Sequence, residues 1–398
     1  MSTKYLVDPT DPKTVRVVPE SYIDDLLTAN PKINNFIFPD GNYYLKSVLQ
    51  ITKSGIKILG ESKESCKVHI FQKDITKDGL SLKNVMDVQI QYISVHVPHP
   101  SKIALSVASA NMTKIENCHF YGNNNYFTIY YAGPSFLTEG KETLDAYNAS
   151  NLDYGNVFRK NVVYSSWSGD SVSFSLQNRS IFTGNVIRGG KVAIYMCKNT
   201  FMTSNLLYDS GTNGIHVSLP CYNLQIKYNR IYECDYSGIK ITNQLEHGPF
   251  VASKYYLLIA YNYIYDSKIY AIEANDIIRG KILNNKFIQT DNFGIYCLRC
   301  SDIEIANNKM SYFTNGVWIE NSKEININTN VFYSVYPDIA QSLAKIVRSS
   351  NNKIYNNECN GQLSGTNISV SSDSTDTFLD NNQFNKWFPY PQECDITK

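Results

Sequence analysis

Asn205-Leu-Leu-Tyr-Asp-Ser-Gly-Thr-Asn-Gly-Ile-His-Val-Ser is answered 24 residues later by Asn229-Arg-Ile-Tyr-Glu-Cys-Asp-Tyr-Ser-Gly-Ile-Lys-Ile-Thr. Each block opens on an asparagine followed by apolar or mixed residues, passes a small residue, and ends in strict alternation. The opening recurs at Asn185-Val-Ile, Asn262-Tyr-Ile, Asn285-Lys-Phe, Asn308-Lys-Met and Asn330-Val-Phe. The alternating close recurs at Ala271-Ile-Glu-Ala-Asn, Gly294-Ile-Tyr-Cys-Leu and Gly316-Val-Trp-Ile-Glu. With Ile194, Ile215, Ile239, Ile272, Ile295 and Val317 as anchors, the spacings are 21, 24, 33, 23 and 22 residues. The 33-residue step requires an insertion.

A repeat of about 22 residues, with short alternating strands and no helical period, predicts the coils of a parallel β-helix. Leucine-rich repeats have similar length, but their leucine pattern and helix are missing. Each coil turns its apolar residues inward onto the next. The recurring asparagines are expected in the tight turns, where they tolerate left-handed dihedrals and hydrogen-bond in a ladder. One continuous solenoid overrides the two or three domains that 398 residues suggest. The expected class is therefore all-β, a single-domain helix. Residues 1–48 form a cap region, 49–388 the β-helix, and 389–398 a tail. Ser21-Tyr-Ile-Asp-Asp-Leu-Leu-Thr-Ala is expected to be a short helix covering the first coil, and Trp387-Phe-Pro-Tyr-Pro to fold over the last.

Two early segments carry a resemblance. Ile37-Phe-Pro-Asp-Gly-Asn-Tyr-Tyr-Leu and Ser54-Gly-Ile-Lys-Ile-Leu-Gly-Glu resemble the opening coils of the right-handed parallel β-helix proteins of the pectate-lyase-like superfamily. That resemblance implies a right-handed helix but no single chemistry, because the fold hosts lyases, epimerases, hydrolases, tail spikes and adhesins. The catalytic signatures of polygalacturonases and of mannuronan epimerases are absent, so no enzyme family is carried over.

Composition narrows the partners. There are 37 Lys+Arg against 36 Asp+Glu, a formal net charge of +1, which argues against nucleic acid as the main partner. No apolar run approaches the roughly 18 to 20 residues that span a bilayer, and no membrane partner is expected. The start, MSTKYLVDPTDPKT, lacks the apolar core of a signal peptide. With 13% aromatic and only 18% charged residues, and with 30 Tyr and 43 Asn, the chain should fold. Nine scattered cysteines are too few for a disulfide scaffold and fit a reducing, intracellular or virion-associated setting. Cys297-Leu-Arg-Cys300 is a lone pair without a nearby histidine, so no zinc, and no cofactor of any kind, is expected.

Strand alternation then assigns an outward column. If the anchors point in, the following residues point out: Ser173, Tyr195, His216, Lys240, Glu273, Tyr296 and Trp318. Adjacent coils lie about 4.8 Å apart, which makes these side chains neighbours along a groove. Insertions near 132–154, with Glu139, Glu142 and Asp153, and near 243–255, with Glu246 and His247, leave the helix after the same strand position. They should overhang one face and wall the groove, as functional loops do.

An aromatic groove with ionisable groups suits an extended acidic polysaccharide. Abstraction of a uronate C5 proton requires a cation for the carboxylate, a base, and an acid for the leaving oxygen or opposite face. Tyr195, His216, Lys240 and Glu273 are the candidate catalytic residues. Ser173, Tyr296, Trp318, Glu246 and His247 are the candidate substrate contacts. The chemistry expected is that of a lyase or epimerase. Two other readings stand beside it. Hydrolysis by paired carboxylates about 5 to 9.5 Å apart would draw on Asp170, Asp209 and Asp235, of which the last two recur in turns with Asp266 and Asp291. A non-catalytic structural or adhesive helix of a virion or cell surface, as a trimer packed through its sides, would use the Lys–Glu pair as an ordinary surface contact worth roughly 0.2–1 kcal/mol.

Overall fold

The structure is a computed structural model that describes residues 5–63, 66–122, 127–134, 145, 147–166, 169–218, 220–242, 256–333, 342–361 and 367–386. Three parallel ladders of strands run the length of a solenoid. The first face is a 16-stranded sheet from Tyr5–Val7 to Phe378–Asp380, and its pairs are parallel except the first, where Tyr5–Val7 meets Thr14–Val17 antiparallel. A 26-stranded sheet forms the second and third faces, and Asp153–Tyr154 pairs with Gln177–Asn178 in a small sheet of its own. Two long strands, Lys286–Leu298 and Lys309–Glu320, bend from the second face into the third and join the two ladders.

Alternation explains the core. Inward positions such as Ile215, Val217, Ile239, Ile241, Ile272 and Ile295 are fully buried or nearly so. They stack on their equivalents one coil away, as do Phe158 and Phe182, whose rings lie parallel 5.2 Å apart. The small residue before each third-face anchor has a packing reason. A Cβ added at Gly238 would lie 2.4 Å from the Ile264 side chain and 2.9 Å from the Ala271 carbonyl oxygen.

The asparagines form the expected ladder between the first and second faces. Asn185 donates from Nδ2 to Asn205 Oδ1 at 2.9 Å, Asn205 to Asn229 at 2.9 Å, Asn229 to Asn262 at 3.0 Å, and Asn262 to Asn285 at 2.9 Å. The series continues through Asn308, Asn330 and Asn357 to Asn382. Each Oδ1 also accepts the backbone N–H of the previous asparagine, so these buried amides are satisfied on both sides. One expectation about them is corrected. The left-handed residue is the one before the asparagine, with Gly184, Ser204, Tyr228, Tyr261 and Asn284 at φ of 65°, 57°, 57°, 58° and 56°. The asparagine keeps ordinary dihedrals because its side chain, rather than its backbone, does the turn's work.

The N-terminal helix is also shorter than Ser21–Ala29. Ser21 and Tyr22 pair as a strand with Tyr43 and Tyr44, leaving one helical turn at Leu26–Ala29 with Leu26 buried against the first coil. Strand pairing to the next coil offers those two residues more than a helix end would. The Trp387–Pro391 segment lies outside the described residues.

Candidate functional site

The third face carries the outward column. Backbone register sets Ser173 opposite Ala193, Ala193 opposite His216, His216 opposite Lys240, Lys240 opposite Glu273, Glu273 opposite Tyr296, and Tyr296 opposite Trp318. Lys345 follows Trp318. Tyr195 is the one member out of place. Val192, rather than Ile194, lies opposite Ile215, so Ala193 fills the column and Tyr195 falls two residues further on, opposite Ser175 and Ser218. Both Val192 and Ile194 are buried and apolar, so alternation alone does not choose between them as the anchor. A register shift between Asp170 and Val172 shortens the spacing here.

Ala193 creates the site. With Ser173, Ser175 and Ser218 it leaves a floor of short side chains, and the taller neighbours close around a pocket of about 240 Å³. Phe127 and Tyr130, their rings parallel at 4.6 Å, stand on one side, and His216 and Tyr195 on the others. At the start of the strands Lys191 Nζ lies 3.0 Å from Asp170 Oδ1. Burial raises the Asp170 carboxyl above its ordinary range, opposed by the Lys191 charge. Burial also pushes the His216 imidazole down to about 4, helped by the Lys191 and Lys240 charges, so the ring is neutral at physiological pH. Its Nε2 lies 3.2 Å from Thr242 Oγ1. Lys191 and Tyr130 were not singled out in the sequence. Lys191 precedes an anchor that is itself masked by the Val192/Ile194 ambiguity, and Tyr130 lies a coil before the repeat becomes regular.

Lys240 and Glu273 sit one and two coils beyond His216. Lys240 Nζ is 3.0 Å from Glu273 Oε1, and the carboxylate also accepts from Asn275 Nδ2 at 2.8 Å and Ser237 Oγ at 3.2 Å. Three partners on one buried carboxylate make it a fixed counter-charge for the lysine. Beyond them the rings pack on one another. Tyr296 stacks on Tyr270 at 5.2 Å and meets Trp318 edge-on at 5.6 Å, while Lys345 Nζ sits 4.3 Å from the Trp318 centroid. Burial and a 3.0 Å hydrogen bond to Glu320 raise the Tyr296 hydroxyl well above its usual range. The faces of Tyr296 and Trp318 are thus partly taken by protein.

The carboxylates proposed for hydrolysis do not converge. Asp209, held by Arg188 at 3.3 Å, is a left-handed turn residue at φ 63°. Since Ser210 pairs with Cys234, its equivalent in the next coil is Glu233, so Asp235 belongs to a different column. Among the described residues Asp170 is the one carboxylate that lines the pocket. Glu273 lies four coils away, roughly 19 Å at the inter-strand spacing, well beyond the 5–9.5 Å window.

Both insertions depart from third-face strands, Phe127–Gly133 and Ser237–Thr242. Glu139, Glu142, Glu246 and His247 lie outside the described residues. The end of the first insertion packs beside the pocket: Tyr147 and Leu152 are buried with Leu176 and Met196 against Tyr195. Lys198 Nζ donates to the Tyr147 carbonyl at 2.5 Å and contacts Ser150 Oγ at 3.0 Å. Asp153 then re-enters the helix as the strand Asp153–Tyr154. It is buried, its Oδ2 accepts the Ala110 N–H at 3.1 Å, and burial pushes its carboxyl to about 7. Among the described residues no three His, Cys, Asp or Glu side chains group as metal ligands, and Cys297 and Cys300 are buried free thiols.

Residues 104–251 match the family described as right handed beta helix region. No curated protein sequence matches the chain. Among solved structures, the A-module of mannuronan C-5 epimerase AlgE4 from Azotobacter vinelandii is similar over 88% of this chain and 94% of its own, with TM-score 0.51 and 12% identity. The catalytic domain of a GH87 α-1,3-glucanase in complex with nigerose is similar over 93% and 70%, with TM-score 0.56 and 12% identity. At such identity the likeness is one of fold. Ladders, matched segment and structural neighbours agree: this chain is a right-handed parallel β-helix.

Proposed function

We propose that the protein is a carbohydrate-active enzyme that removes the C5 proton from a uronate unit of an acidic polysaccharide, in the pocket above Ala193. The observation that carries this reading is the content of that pocket: one carboxyl, one lysine, a neutral histidine and two tyrosines, Tyr130 and Tyr195. Hydrolysis needs two carboxylates, and among the described residues only Asp170 lines the pocket. Proton abstraction beside a carboxylate needs what is present. As the C5–H bond breaks, the electron pair spreads onto the substrate carboxylate, where the Lys191 ammonium stabilises the added charge. The proton passes to one pocket group. A second group then returns a proton to the opposite face of C5, giving the epimer, or protonates the C4 oxygen as that bond breaks, giving an unsaturated uronide. Lys240, one coil from His216, places a further cation along the polymer path.

Two structural neighbours support a polysaccharide substrate by what they are, an epimerase of mannuronan and a glucanase seen with bound saccharides, and the first of these acts on an acidic polymer. The test is a panel of polymannuronate, polyguluronate, polygalacturonate and glucuronate-containing polymers. Absorbance of unsaturated uronides and proton NMR of the products are the readouts. Wild type should convert at least one polymer, and Lys191→Ala should lose at least a hundredfold in kcat/KM. Conversion of neutral glucans alone, or an undiminished Lys191→Ala, contradicts the reading.

A further inference from the structure

His216 and Thr242 meet through a single contact, Nε2 to Oγ1 at 3.2 Å. Thr242 is buried, and among the described residues this is the only hydrogen bond its hydroxyl makes. A neutral imidazole carries one proton, so two arrangements are available. If Nε2 carries it and donates to Oγ1, the threonine's own O–H proton is left buried with no acceptor. If the threonine O–H donates to a bare Nε2, the proton without a protein partner is instead the one on Nδ1 of His216, a half-buried ring that lines the pocket, where solvent or a ligand can meet it. A donor open to the pocket is satisfied by water, whereas one buried at Thr242 is not, and leaving a buried donor unmet costs more than the hydrogen bond gains. The accounting selects the second arrangement, which puts the ring proton on Nδ1.

We propose that Thr242 is a positioning residue that holds His216 in its Nδ1–H tautomer, so that the imidazole serves the pocket as a neutral hydrogen-bond donor and not as the base. Nδ1 has no protein partner among the described residues, which leaves its proton for a ligand. The charged groups around the ring agree with a neutral state. Lys191 and Lys240 flank it, each with its acid on the far side, Asp170 and Glu273. Protonating the ring would put a third cation between two others. In the reaction above, an Nδ1–H beside the substrate carboxylate strengthens as charge develops there, the use to which a preorganised neutral donor is best suited. The base is then a different pocket group, either the Asp170 carboxylate or one of Tyr130 and Tyr195 as its phenolate.

The role of the donor in turnover rests on the function proposed above; the tautomer does not. Ring 1H–15N correlation spectra of the free protein near pH 7 read the tautomer directly. Wild type should show Nδ1 protonated and Nε2 bare, Thr242→Ser should keep that pattern, and Thr242→Val should shift it toward Nε2–H. In turnover, Thr242→Val should lose roughly tenfold in kcat/KM, the weight of one hydrogen bond to a charged group, with Thr242→Ser close to wild type. His216→Gln, which supplies an N–H but no base, should retain far more activity than His216→Ala. A wild-type ring protonated on Nε2, or an unchanged pattern in Thr242→Val, overturns the tautomer lock. Equal inactivity of His216→Gln and His216→Ala overturns the donor role. A wild type that converts no acidic polymer overturns the proposed function instead, and the ring spectrum still decides the tautomer.

Discussion

At the scale of single residues, the site depends on which side chains are short. Ala193 and the serines around it make the pocket, and a larger residue there would fill it. Most of the column was readable in the sequence, since His216, Lys240, Glu273, Tyr296 and Trp318 lie where alternation places them. Tyr195 was misplaced because alternation cannot choose between two apolar anchors, and the pocket was missed because an alanine carries no chemical signal. Asp153 was read only as an acid on a loop. Its burial makes it a measurable pH element. The folded carboxyl titrates near 7 against an unfolded 3.8, so its proton contributes stability that is fully present below about pH 4 and lost as pH rises to about 7. Urea unfolding at pH 5 and pH 8 should show Asp153→Asn losing less stability over that interval than wild type, by about 3 kcal/mol. Parallel pH dependence in the two proteins would show that the group titrates normally.

At the scale of elements, the asparagine turn is the unit that sets coil height. Asn229 gives Nδ2 to both Asn262 Oδ1 and the Met202 carbonyl, and its Oδ1 takes the N–H and Nδ2 of Asn205. Removing that amide leaves several buried donors and acceptors unmet, each costing about 1–3 kcal/mol. Asn229→Ala should therefore lower the urea midpoint by the equivalent of about 3 kcal/mol or more, whereas Asn223→Ala, in a less buried turn, should cost less than half of that. Equal losses would show that the ladder adds nothing beyond local turn propensity. The aromatic stripe of the second face belongs to the same structural category. Tyr44, Phe71, His96, Tyr121 and Tyr164 stack ring on ring, His96 on Tyr121 at 4.4 Å and 3°. Phe71, His96 and Tyr121 each have a ring against both faces, so the stripe stiffens the wall rather than offering those faces to sugars.

At the scale of the whole molecule, stability in a solenoid is close to a sum over coils and the interfaces between neighbours. The repeat was legible from the Asn and Gly-Ile patterns alone, and it carried the fold. What it did not carry was the second-to-third-face bend in Lys286–Leu298 and Lys309–Glu320, where unbroken strands replace the turn seen in other coils. Because Asn285 and Asn308 are equivalent and 23 residues apart, excising residues 286–308 rejoins one ladder position to the next. That deletion should fold, with a strand-rich circular dichroism spectrum and cooperative unfolding, and should keep the pocket, which lies several coils away. A deletion of half that length shifts every inward residue after it out of register and should not fold. Failure of the whole-coil deletion alone to fold would mean that the long strands lock specific coils together.

The central claim is that the pocket above Ala193 takes a proton from C5 of a uronate. Incubation of each acidic polymer with the protein in D2O, followed by NMR and mass analysis of the recovered units, reads that step whether it leads to epimer or to unsaturated product. The account predicts conversion that carries the C5 signature: deuterium at C5 of epimerised units, or loss of the C5 proton in unsaturated ones. It also predicts that Lys191→Ala abolishes this conversion while Lys240→Ala only weakens it. Polymer recovered with every C5–H intact, or cleaved with C5 untouched, would contradict it.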